Sequence, residues 1–140
     1  MAFTGNYLCT SFKSELLQAV HNFASHTFKM ALFTNSATLD ATTTAYSTAN
    51  EVSGTGYSAG GATVTSITIN TSGTTAFIDF ADVSFANSTI TARGALLYNS
   101  SASDKAIAVF DFGADQASSS STFTITIPTA GASSAIVRIA

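Results

Sequence analysis

Thr122-Phe123-Thr124-Ile125-Thr126-Ile127 alternates without a break between a hydroxyl side chain and a large apolar one. Only a strand with one face buried and one face wet uses such a period of two. Pro128 follows at once, where a strand should end. Working outward, the same kind of reading applies to most of the chain. Thr75–Phe80 alternates Ala76, Ile78 and Phe80 against Phe77 and Asp79. Ala62–Ile69 alternates in its second half. Phe28–Phe33, Ile90–Tyr98, Ala106–Phe112 and Ser134–Ala140 are short runs rich in β-branched, aromatic or other apolar residues. Turn-forming clusters separate them: Thr71-Ser72-Gly73, Asn99-Ser100-Ser101, Gly113-Ala114-Asp115 and Ala130-Gly131. Ser118–Ser121 reads as an exposed loop tip.

One segment keeps a different period. Phe12, Leu16, Ala19, Val20 and Phe23 lie on one face of a 3.6-residue helix. Thr10 or Ser11 can cap it, and Glu15 suits the dipole of its early turns. The expected architecture is therefore mainly β: a single domain over 1–140, a jelly-roll-like β-sandwich with one N-terminal α-helix. An arm covers 1–9, the helix about 11–24, and a long loop about 35–61. A loop that long is usually functional.

Composition narrows the function. Of 140 residues, 46% are hydrophobic and only 9% charged, against about 25% charged in an ordinary domain. Ser and Thr supply the polarity. A net charge of −3 with 5 Lys plus Arg leaves no basic footprint for nucleic acid. No apolar run approaches the ~20 residues of a membrane helix, and no secretion signal is visible. The chain is expected to be made in a cytoplasm. Its lone cysteine, Cys9, has no partner for an internal disulfide.

Chemistry-bearing patterns are weak. Gly54-x-Gly56 with Gly60 has the wrong spacing for a dinucleotide fingerprint, and no helix follows. Those glycines read as positions of positive φ or close backbone approach. His21 and His26, five apart, do not share a helical face, so they read as solvated or capping rather than as zinc ligands. Asp79 with Asp82, and Asp111 with Asp115, read as turn carboxylates rather than a glycosidase pair or a calcium site. Arg93 and Arg138 should either pair with an acid such as Asp79 or meet a partner's carboxylate. No cofactor, metal or catalytic residue is expected.

Further segments carry a resemblance. They are Met1–Lys13, Lys29-Met30-Ala31-Leu32-Phe33-Thr34, Ala45-Tyr46, Asn50–Gly61, Phe80-Ala81-Asp82, Thr91-Ala92-Arg93-Gly94-Ala95 and Ile136–Ala140. The most specific is Glu51-Val52-x-Gly54-x-Gly56-Tyr57-x-x-Gly60-Gly61. Together they resemble small virion structural proteins of tailed bacteriophages, most nearly capsid cement (decoration) proteins. The resemblance implies a jelly-roll-like fold on the outer capsid surface, the major capsid protein as partner, and no catalytic residues. A homodimer is the expected self-association. The alternative is a tail or fibre module that recognises a host glycan. Phe3, Tyr7, Tyr46, Glu51, Tyr57 and Arg93 are the candidate interface. Most are aromatics set among Gly, Ser and Thr, and tyrosine is favoured at interfaces. The rival reading folds the arm and loop aromatics back onto the core as lids.

Overall fold

The structure, a computed structural model, describes residues 3–140; Met1 and Ala2 of the expected arm lie outside the described residues. It is mainly β with one short helix, α1 (Thr10–Leu17). Strands β1 (Tyr7–Leu8), β2 (Phe28–Phe33), β3 (Ala62–Thr63), β6 (Val83–Asn99) and β7 (Lys105–Ile125) form an antiparallel sheet in the order β1-β7-β6-β2-β3. Strands β4 (Thr68–Ser72), β5 (Thr75–Asp79) and β8 (Arg138–Ile139) form a second antiparallel sheet, β4-β5-β8.

The core lies where β2 and the adjoining halves of β6 and β7 run side by side. Met30–Phe33, Ala95–Asn99 and Ala106–Val109 are buried at every consecutive position, so both faces of the sheet are covered there. Phe12 of α1 belongs to this core, and so do Ile78 of β5 and Val137 beside β8, so one cluster joins both sheets. Farther out, β7 alternates as its sequence demands: Phe123 and Ile125 are buried, Thr122 and Thr124 exposed.

Four local expectations are corrected. The helix ends at Leu17, not near 24. The Ala19 and Val20 amides donate back to the carbonyls of Leu16 and Glu15, with Ala19 at φ +61°. This is a Schellman ending built without glycine. At the other end Cys9 is the N-cap and makes no side-chain cap bond, so neither Thr10 nor Ser11 caps.

Ala62–Ile69 is not one strand. It breaks between β3 and β4, with Ser66 at φ +57°. Last, Gly113-Ala114-Asp115 and Ser118–Ser121 are neither turn nor loop tip but parts of the 21-residue β7. Ala92 pairs with Gln116 and Gly94 with Asp111, so the residues between are extra length on β7, absorbed as a bulge. Gly113 takes φ +82° there and Ser120 φ +47° in a second irregularity.

Candidate functional site

Part of the 35–61 excursion lies along the outer edge of β2, pinned by Glu51, while Ala45 bridges Lys105 of β7 and Thr55 bridges Thr89 of β6. Phe33 and Glu51 form an antiparallel bridge, and the Val52 amide donates to the Leu32 carbonyl at 2.9 Å. Beyond it, where β3 has not yet begun, no backbone carbonyl among the described residues meets the Leu32 amide. The Tyr57 hydroxyl accepts that hydrogen bond at 2.8 Å and donates its own proton to Glu51 Oε1 at 2.7 Å. The Gly60 amide donates to the same oxygen at 2.7 Å, and the Tyr46 hydroxyl donates to Oε2 at 2.7 Å. Tyr98, in the core, donates to the Gly60 carbonyl at 2.6 Å and stacks on Tyr46 with ring centroids 4.6 Å apart. One carboxylate thus holds two tyrosines and a backbone amide, all charge-assisted.

Burial, followed by the hydrogen bond to Glu51, raises the phenols of Tyr46 and Tyr57 well above the ordinary tyrosine range. Burial also pushes Tyr98 up to about 12, with Asp104 and Glu51 adding to it. All three remain protonated donors through the neutral and mildly alkaline range.

The glycines of the motif explain the close fit. A Cβ on Gly54 would stand 2.5 Å from the Thr89 carbonyl oxygen, and one on Gly56 2.7 Å from the Ser88 Cα. A Cβ on Gly61, at φ +77°, would overlap the Met30 carbonyl. Close approach and positive φ were both legible in the sequence; the surface approached is the chain's own sheet.

The candidate interface residues therefore do not form one exposed patch in this chain. Phe3 is a correction: it is 1% exposed, bridges to Leu39, and lies where a Cβ on Gly94 would collide with its ring. Tyr46, Tyr57 and Glu51 are half-buried in the latch just described. They follow the rival, lid-like reading, because an extended segment beside an open strand edge must satisfy that edge's buried amide. Tyr7 is half-buried in β1, its hydroxyl within 3.0 Å of Thr4 Oγ1. Arg93 pairs with Asp111 rather than Asp79, Nε to Oδ1 at 3.0 Å. The Gly113 amide, joined by the Arg93 guanidinium, holds the Asp111 carboxyl below its usual range against the opposing effect of burial.

His21 is not solvated, and His26 is half-buried. His21 is buried and Asn99 fully so. Asn99 Oδ1 accepts from the Ser101 amide, which orients its Nδ2 toward Nδ1 of both His21 (3.1 Å) and His26 (2.9 Å). His21 Nε2 lies 3.2 Å from Glu15 Oε1, and Lys105 Nζ 2.9 Å from Glu15 Oε2. This network ties α1 and the segment after it to the β6–β7 turn. Asp82 accepts from the Ile127 amide and Asp115 from Asn35 Nδ2, so these acids serve the backbone and its loops. Among the described residues no three His, Cys, Asp or Glu side chains gather as metal ligands.

The sequence reading missed one surface. The outer half of the β6–β7 hairpin, Val83–Ala92 paired with Gln116–Ile125, contains no charged residue. Its exposed positions are chiefly Ser, Thr and Ala. The signal was present in Ser118–Thr126 but was masked by reading Ser118–Ser121 as a loop tip. Comparison with protein-family models, curated proteins and solved structures finds no match to this chain.

Proposed function

We propose that this protein is a virion structural component that binds the outer surface of a tailed-phage capsid and cements neighbouring major capsid subunits. The observation that carries the reading is the uncharged face of the β6–β7 hairpin. It can dock over a wide area without desolvating an ion, the costliest part of burying a polar surface. The sequence resemblance supports the same reading, and so does the latch, which uses the motif's side chains to stiffen the molecule rather than to present them. A jelly-roll relationship, a homodimeric state and the absence of catalysis belong to this proposal.

The test is co-sedimentation of the purified protein with heads and, separately, with tails of the phage that encodes it. Saturable binding to heads supports the proposal. Binding to tails alone selects the glycan-recognising alternative, and binding to neither overturns both. Placing a charge at Thr124, as in Thr124→Lys, should weaken head binding by about tenfold or more, the scale of one unpaired ion at an interface, while leaving the melting temperature unchanged.

A further inference from the structure

The second sheet ends in a strand built for pairing. All five residues of β4 are exposed, and among the described residues none of its backbone groups bonds to anything outside β5. The β4–β5 hairpin turns on Gly73-Thr74, with Gly73 at φ +59° as the first residue of a type II′ turn requires. A two-residue turn closes on a hydrogen-bonded pair, here Ser72 opposite Thr75, and the pattern alternates from there. Asn70 and Thr68 therefore direct their amides and carbonyls toward β5. Ile69 and Thr71 direct theirs toward the open edge.

Edges of this kind are normally blunted by a lysine, a proline or a bulge. Thr68-Ile69-Asn70-Thr71-Ser72 has none of these: no charge, no proline and an unbroken register. Ile69 is 58% exposed beside this edge, on the same face as its pair partner Ile78.

We infer that β4 pairs antiparallel with β4 of a second copy across a two-fold axis at Asn70. This rests on the homodimer of the preceding reading and assigns its interface. A second copy is the occupant that fits. Two chains of net charge −3 repel overall, so a contact between copies is least opposed where neither carries charge, and this strand is such a place. The axis at Asn70 places Ile69 of one copy opposite Thr71 of the other, twice. Each pair exchanges two N–H···O bonds through the groups that face outward. The strand is used over its whole length with no overhang, the self-complementarity that an isologous contact demands. A continuous six-stranded sheet results.

Sedimentation at micromolar concentration and amide exchange test this. The wild-type chain should sediment as a dimer, with the Ile69 and Thr71 amides protected from exchange. Thr71→Pro removes only a donor that β5 does not use, and Ile69→Lys sets a charge at the edge. Each should weaken dimerisation by about tenfold or more, whereas Ile139→Lys on β8 should not. A wild-type dimer that both variants leave intact, with Ile69 and Thr71 exchanging as free amides, overturns this interface but not the dimer. A wild-type monomer overturns both. Protection of those two amides only on capsids would assign the edge to the shell protein and overturn the inference. Should Thr71→Pro fail to fold, the exchange measurement and Ile69→Lys still decide.

Discussion

Glu51 and Tyr57 show how a single polar contact completes a strand edge. The Leu32 amide is buried and has the Tyr57 hydroxyl as its acceptor. Tyr57→Phe changes no shape and leaves that amide unsatisfied, which costs about 1–3 kcal/mol. Urea denaturation of this variant should therefore show a clear loss of stability; an unchanged midpoint would mean that the latch is not needed. Gly61→Ala should be worse, because its Cβ meets the Met30 backbone at a positive φ, and backbone cannot move aside as a side chain can. Burial, reinforced by Asp40 and Glu15, pushes the Cys9 thiol up to about 11. It should resist thiol reagents at pH 8 until the protein unfolds; rapid labelling of the native protein would contradict its buried placement. At this scale the sequence was half legible. The residues of the latch were singled out as a group, but their direction was not. An aromatic among glycines can face a partner or its own sheet, and only the neighbouring strand's unfilled amide decides.

Elements were legible where one periodicity ruled and obscure where the backbone departed from it. The limits of Phe28–Phe33 are those of β2, and Thr75–Asp79 falls one residue short of the expected strand. The helix was overextended because Ala19, Val20 and Phe23 continue the apolar stripe while no glycine marks its end. The stripe continues into a turn whose Phe23 stacks on Phe28 at 4.5 Å, so that apolar position is still used. Ala19 adopts φ +61°, a left-handed conformation that disfavours a Cβ. Ala19→Gly should raise stability by about 1 kcal/mol, since the strain exceeds the added entropy of the unfolded chain. Thermal melts would show it as a higher midpoint; a lower one would mean that the Schellman ending is unstrained or not formed. In β7 the error ran the other way. Gly113 and the serine run look like breaks, yet the bulges opposite Ala92–Gly94 and Ser88–Ile90 take up the extra residues and pairing resumes.

For the whole molecule, the acid limit of stability follows from the network that ties α1 to the β6–β7 turn. Burial opposes ionisation of Glu15, but hydrogen bonds and charge from Lys105 and His21 outweigh it, so its carboxyl titrates below the ordinary range. A carboxyl depressed on folding contributes stability above its unfolded value, and that contribution is lost as pH falls through the folded one. Asp111 acts in the same sense. Stability should therefore decline below about pH 4, near the ordinary carboxylate value, and Glu15→Gln should flatten that decline; a variant with the wild-type acid profile would remove Glu15 from the account. The mainly β architecture was legible because period-two segments outnumber the single helical one. The division into two sheets was not, because pairing between distant segments leaves no local trace. The docking role proposed for the uncharged hairpin is decided most directly by a reconstruction of the intact particle. The account predicts density matching this fold in many copies on the outer head surface, with the outer β6–β7 hairpin against the shell. Its absence from the head, or its confinement to the tail, would contradict the account.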